Sequence, residues 1–297
     1  MSSRRQGRGF TSSSAKDYIR DEIDAKIIRQ FKDAHCPSQT LSYLGLPGKD
    51  LLDIISWREF IGNWTAVQIA DSVEDAEIAD ELERNVFRYH LERGFHFLRG
   101  NIDILLSSVE GQNKLHFPYQ IVNLDYYGGL INAKISKKGL RKESGRLEAI
   151  RSLFHRQAGQ PFLLFLTLNL RDDDKDELAN FIAPIENDLL EVTRVGVQQC
   201  FKSHRDLGHV GELKLYVPIF LANEAKNHSL VIHSPILYTG TIQMIHFAVQ
   251  CFPYTTTIAS RRLGIRDNIS LINLPLLVLP AYGKLRQVQL GFIESNF

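Results

Sequence analysis

The stretch QIVNLDYYGGL, residues 120–130, decides how the chain reads. Its lead-in, Ile121 and Val122 followed by Leu124, has the composition of a buried strand. It ends on Asn123, Asp125, Tyr126, Tyr127 and the pair Gly128-Gly129. An acid, two aromatics and two glycines concentrated at one strand end mark either a sharp turn or the floor of a site.

Strand and helix patterns alternate on both sides of it. TLSYLGLPG (40–48) reads as a strand running into a Gly/Pro turn, and KDLLDIISWREFIG (49–62) as a helix. WTAVQIADS (64–72) is a second strand, followed by the strongly charged helix VEDAEIADELERNVFRYHLERG (73–94). FHFLRGNID (95–103) is a third strand, passing into the short helix ILLSSV (104–109), and the opening stretch is the fourth. RLEAIRSLFHRQA (146–158) is helical. PFLLFLTLNLR (161–171) is the most apolar strand of the series and therefore central. A helix over 175–202, interrupted at Pro184, follows it. Ahead of all these, residues 15–35 place Tyr18, Ile19, Ile23, Ile27, Ile28 and Phe31 at helical spacing. Beyond residue 210 the character turns β-rich: ELKLYVPIFLA (212–222), SLVIHSPILYTG (229–240) and MIHFAVQCFPYT (244–255), the last two forming an antiparallel hairpin.

Alternation of this kind requires a parallel sheet with helices on both faces, because parallel strands need long, right-handed crossovers. The expected fold is α/β: a doubly wound, mostly parallel sheet of about seven strands with a C-terminal antiparallel hairpin. The expected organisation is a disordered basic arm over 1–14 and a single domain over 15–297.

Composition narrows the classes of function. Of 297 residues, 44% are apolar and 23% charged, enough for a real core, and the formal net charge is +1. Any contact with nucleic acid must then come from a local basic surface. Cys36, Cys200 and Cys251 are far apart with no CxxC pair, which reads as reduced thiols in a cytoplasmic protein. The start MSSRRQGRGFTSSS lacks the apolar region of a secretory signal, and SLINLPLLVLP (270–280) is too short to span a bilayer. No GxxxxGK[ST] and no GxSxG is present, and the histidines show no metal-binding spacing. The run Asp172–Asp174 with Asp176 and Glu177 suits a solvated loop and helix start.

In an open parallel sheet, ligands sit outside the carboxyl ends of the strands. The first strand offers Gly45 and Gly48 there, and the second Asp71 with Glu74 nearby. The third offers Gly100, Asn101 and Asp103, the fourth Asn123 to Gly129, and the fifth Asn169 and Arg171. Glycines permit close backbone approach to a ligand. An acid at the second strand can accept both hydroxyls of a ribose, although Asp71 would equally serve as the cap of the charged helix.

These residues carry a family resemblance. YLGLPG is similar to a degraded glycine-rich first motif of the class I (Rossmann-like) S-adenosylmethionine-dependent methyltransferases, whose seven strands end in a reversed one. VNLDYYGG resembles the strand-four motif of nucleic-acid base methyltransferases, especially the Asp-Pro-Tyr-Gly type of tRNA guanine-N2 dimethyltransferases. The resemblance covers roughly residues 38–255. It departs from the pattern at Ser42 and Tyr43, where an acid is usual before the glycines, at Tyr126 in place of proline, and at Asn101 in place of Asp.

The resemblance implies S-adenosylmethionine as cofactor, held by Gly45, Gly48, Asp71 and Asn101. It also implies transfer to a base amine held by Asp125 with Asn123, with Tyr126 or Tyr127 stacking on the base. The basic stretch Lys134, Lys137, Lys138, Arg141 and Lys142 follows directly, and Lys137, Lys138 and Arg141 are expected to hold phosphate. No metal is expected. Two alternatives stand beside this reading. One is a catalytically inactive scaffold or binding subunit of a larger bacterial complex, such as a defence system. The other is a nuclease subunit holding a divalent ion on Asp71, Glu74 and Asp125.

Overall fold

The structure is a computed structural model. It describes residues 14–126, 128–130, 145–157, 159–170, 175–188, 195, 198–199, 208–239, 242–253, 274, 276–279 and 286–288. Five strands, β1 (Leu41–Gly45), β2 (Ile61–Gln68), β3 (Phe95–Arg99), β4 (Ile121–Asp125) and β5 (Phe162–Asn169), run parallel. The hairpin follows as β7 (Ile236–Thr239) and β8 (Gln243–Pro253), with β8 antiparallel to both β5 and β7. These seven strands, the last of them reversed, match the expected pattern. Three further strands extend it: β6 (His228–Ile232) against β8, β9 (Leu276–Leu279) beside β7, and β10 (Arg286–Val288) at the edge.

The order across the sheet is β10-β9-β7-β8-β5-β4-β1-β2-β3, with β6 also on β8. From β1 the chain steps through β2 and β3 to one edge, then returns to place β4 on the other side of β1. The strand order therefore reverses between β1 and β4, and at such a point the loops diverge and leave a crevice.

Strand alternation sorts the side chains into two cores. Leu44, Val122, Leu124, Leu164, Leu166, Leu168, Phe247 and Val249 face one way. They are covered by α5 (Ile102–Ser107), α7 (Gly145–Arg156), α8 (Lys175–Asp188) and α9 (Gly208–Glu224), with α6 (Val109–Lys114) beside α5. Tyr43, Ile121, Leu163, Phe165 and Ala248 face the other way. Against them lie α2 (Ala25–His35), α3 (Leu52–Trp57) and α4 (Val73–Arg88). All eight residues of β5 are buried, as its continuous apolar run requires of a central strand.

Residues 212–222, read above as a strand, are the core of helix α9. Leu213, Leu215, Tyr216, Val217, Ile219, Phe220 and Leu221 are all buried. A helix apolar on every side has no stripe to betray its period, so a short apolar run reads equally as strand. The sheet decides the matter, because its first face needs a cover and α9 supplies it. The helix expected over 49–62 shrinks to α3 because β2 starts at Ile61, whose partner is Leu41. The leading helix keeps its extent but contains a π-helical segment, Ile19–Asp24, between α1 (Ser14–Tyr18) and α2.

The cap of α4 is Ser72, not Asp71: its hydroxyl accepts from the Asp75 amide at 3.1 Å. Ser72→Ala is expected to lower stability by about 1 kcal/mol in urea unfolding, while Asp71→Ala, which caps nothing, leaves the midpoint unchanged. Cys251 is buried on β8 and Cys36 half-buried, both as free thiols; Cys200 lies outside the described residues. Among the described residues no helix is long and apolar enough to cross a membrane.

Candidate active site

At the switch point β1 and β4 lie in register with Gly45 opposite Asn123, and the Leu46 amide donates to the Asn123 carbonyl at 3.2 Å. Tyr43, Gly45, Asn123 and Asp125 share one face by alternation. The Asn123 side-chain amide donates to Asp53 Oδ2 at 2.7 Å. Asp53 sits in the first turn of α3, just beyond the Gly45–Gly48 loop, and both partners are buried. Asp125 is buried as well, and its Oδ2 receives the Lys16 ammonium from α1. Its second oxygen, Oδ1, is buried and has no hydrogen-bond partner among the described residues.

The electrostatics follow from that crowding. Burial pushes the Asp53 carboxyl up to about 7; Lys16 and Arg20 pull against this while Asp125 adds to it. Burial works against the charge of Lys16, but Asp125 and Asp53 together outweigh it and its pKa is raised. Two buried acids thus share one ammonium.

A second polar row runs beside the first. Asp125 lies opposite Thr167 on β5, and Thr167 opposite His246 on β8. Thr167 Oγ1 and His246 Nδ1 are 2.9 Å apart, and His246 Nε2 lies 3.1 Å from Asp24 Oδ1 on the leading helix. All three are buried; burial raises the Asp24 pKa, and His246 opposes the rise.

Asn101 is half-buried. Its Oδ1 accepts from the Asp103 amide at 2.8 Å and caps α5. Asp103 Oδ1 accepts from the Tyr126 hydroxyl at 2.7 Å, and its Oδ2 lies 3.6 Å from Arg146 Nε. The Arg146 guanidinium stacks 4.4 Å from the centre of the Tyr126 ring and donates to the Gly129 carbonyl. A Cβ on Gly128 would lie 3.1 Å from Arg146 Nη1, so this turn closes around the arginine. Tyr126 is buried and tied to α5 and α7, and Arg146 covers its ring where a base would stack.

The predicted residues therefore divide. Gly45, Asn123 and Asp125 meet at the switch point, where Gly48 takes a left-handed turn with φ 65°. The space beside Gly45 holds the Tyr43 hydroxyl and the Asn123 carbonyl, the latter 2.7 Å from where a Cβ would stand. Asp71 and Glu74 lie exposed past the end of β2, on a different strand end from Asp125, and among the described residues no three acids, histidines or cysteines gather as a metal site. Tyr127, Lys134, Lys137, Lys138, Arg141 and Lys142 lie outside the described residues.

Lys16, Arg20, Asp24, Asp53, Thr167 and His246 lie on the leading helix, on α3 or within β5 and β8, where strand-end chemistry gives no sign of them. One signal for the helical three was present: Lys16, Arg20, Asp24 and Ile28 recur every four residues, so the charges continue the apolar stripe of residues 15–35.

The arrangement can be tested against the cofactor that the resemblance implies. At the adjoining ends of β2 and β3, exposed Ile69, Val73 and Ile104 accompany exposed Asp71. Gly100 is open there, an added Cβ meeting nothing nearer than Leu105 Cδ1 at 3.9 Å. A nucleoside needs apolar surface and a carboxylate, and this end offers both. The β1–β4 end also has acids, but Lys16 stands on Asp125 there.

No protein-family model matches the sequence, nor does any curated protein. Among solved structures, an S-adenosylmethionine-dependent methyltransferase from Agrobacterium tumefaciens aligns over 80% of this chain and 63% of its own, with TM-score 0.45 and 8% identity. A putative rRNA methylase from Clostridium thermocellum aligns over 76% of this chain and 96% of its own, with TM-score 0.41 and 7% identity. A putative methyltransferase from Escherichia coli aligns over 76% and 86%, with TM-score 0.35 and 12% identity. The chain spans less than two thirds of the Agrobacterium protein. By its seven principal strands, the reversal of the last, and the switch point between β1 and β4, the chain has the class I S-adenosylmethionine-dependent methyltransferase fold.

Proposed function

We propose that the chain is an S-adenosylmethionine-dependent methyltransferase acting on an exocyclic amine of a nucleic-acid base. The observation that carries this reading is Asp125: a buried carboxylate at the switch point, one oxygen already on an ammonium and the other without a partner among the described residues. An amine nitrogen is the donor such a carboxylate accepts. Asp71 would accept the ribose hydroxyls, the Gly45–Gly48 loop and the Gly100-Asn101 backbone would border the nucleoside, and Ile69, Val73 and Ile104 would flank its ring. When bound, the cofactor supplies an electrophilic methyl group on a sulfonium.

The chain's own part is placement. Asp125 Oδ1 accepts one amine N–H, fixing the direction of the nitrogen lone pair, and Asn123 is held by Asp53 so that the floor beneath does not move. Tyr127 is left for stacking, since Tyr126 is held by Asp103 and Arg146. Lys137, Lys138 and Arg141 would hold phosphate.

In the full-length protein Asp125→Asn is expected to lower methyl transfer to RNA or DNA by about 10²–10³-fold while changing cofactor affinity little. Calorimetry showing no heat of binding at millimolar S-adenosylmethionine would remove the proposal. A second reading, a scaffold or binding subunit without catalysis, draws on Lys16 standing on Asp125. It predicts a stoichiometric partner chain on purification from the native source, with no cofactor retained.

A further inference from the structure

We propose that Asp125 and Asp53 form a subsite for a primary amine, that Lys16 is its built-in occupant, and that the segment Ser14–Asp24 is a plug which an amine-bearing acceptor displaces. The identity of the acceptor rests on the function proposed above; the amine subsite and the plug do not.

The subsite is built rather than incidental. Asp125 is buried at the end of β4, takes the Lys16 ammonium on Oδ2, and keeps Oδ1 buried with no partner among the described residues. Asp53, in the first turn of α3 and bonded to Asn123 two residues before Asp125 on β4, adds a second buried carboxylate that acts on the same ammonium. The Asp125 Oδ1 left over offers acceptor capacity for a further N–H, which is the need of a primary amine and not of a quaternary one.

The plug is built to leave. Residues Ile19–Asp24 are π-helical, a form that is rare and frequent at functional positions. On one side of this segment, α2 drives Ile27, Ile28 and Phe31 into the main core. On the other, α1 packs through Ala15, with Ile19 just beyond it, in a small cluster with Ile236, Tyr238, Met244 and Leu279. Two latches from α3 close the segment: Trp57 Nε1 donates to the Arg20 carbonyl at 3.0 Å, and Ser56 Oγ donates to Asp21 at 2.7 Å. At the pivot, Asp24 stays on His246.

The test does not use methyl transfer. Lys16→Ala removes the Cγ-to-ammonium arm, which propylammonium reproduces atom for atom. Thermal unfolding of full-length Lys16→Ala is expected to rise by about 3 °C or more with propylammonium chloride, saturably, relative to sodium chloride at equal ionic strength. Tetramethylammonium, with no N–H, gives no rise, wild type gives none, and adding Asp125→Asn abolishes it. A folded Lys16→Ala that gains nothing from propylammonium, or gains no more than wild type, overturns the proposal. If Lys16→Ala does not fold, hydrogen exchange on wild type decides. Amides of residues 19–24 are expected to exchange at least ~10-fold faster than those of Ile27–Phe31, and equal protection overturns the plug. Loss of the methyltransferase reading, by absent cofactor binding, would leave the amine rescue standing, so the two failures are distinguishable.

Discussion

Gly45→Ala is expected to destabilise the protein by about 3 kcal/mol in denaturant unfolding, near the upper end for one added carbon. The added Cβ would stand 2.7 Å from the Asn123 carbonyl, closer than real Cβ contacts, and against the Tyr43 hydroxyl. Neither neighbour can yield cheaply. The carbonyl accepts the Leu46 amide across the β1–β4 pair, and Tyr43 is fully buried beside Trp57. Relief would require β1 and β4 to part at the very place where the switch-point loops diverge. Gly159→Ala is the control: an added Cβ there meets nothing within 4 Å, and φ 84° leaves only the backbone cost of about 1 kcal/mol. If Gly45→Ala unfolds no more easily than Gly159→Ala, then β1 and β4 are not packed as described.

Asp53→Asn is expected to stabilise the protein at pH 8 by on the order of 2–4 kcal/mol and to flatten its pH dependence. Burial holds the Asp53 pKa at about 7 in the folded chain, against 3.8 for the ordinary group. Between those values the folded state keeps a proton that the unfolded chain releases. Stability therefore falls as pH rises from about 4 to about 7, and above 7 the full cost of the buried charge remains. Asparagine carries no such charge, and its carbonyl still accepts from the Asn123 amide that now reaches Asp53 Oδ2. The gain is trimmed because Lys16 and Arg20 lose an attractive neighbour. Asp24 and Asp103 are also raised by burial, so a shallower slope rather than none is expected in the variant. Parallel urea titrations at pH 4.5 and pH 8 check this; equal slopes for the two proteins would show that Asp53 is already ionised in the folded state.

The features legible from the sequence are those whose chemistry is local. The strands β1 to β5 and the hairpin β7–β8 are legible because apolar runs of that length, bounded by Gly, Asp and Asn, have few other uses, and their alternation with helices admits only a parallel sheet. The clustering of Asp125 with Asn123 opposite Gly45 follows from that sheet, since adjacent parallel strands end together. Asp71, by contrast, is passed over as helix cap in favour of Ser72, one residue on, and Asn101 spends its side chain on a cap of its own. Such choices turn on a dihedral angle that composition does not specify.

By itself, then, the sequence determined the alternation of strands and helices, the central place of β5, and the acid-bearing end of β4, because each rests on period and residue type within a few neighbours. Only the tertiary structure decided that residues 212–222 are a helix, that Tyr126 serves Arg146, and that Lys16 from the leading helix stands on Asp125. Those depend on which face of the sheet needed covering and on a charge 109 residues distant in the chain. The physical reason is burial: an apolar helix, a ring and an ammonium each take their state from what surrounds them, and the surroundings exist only once the sheet has formed.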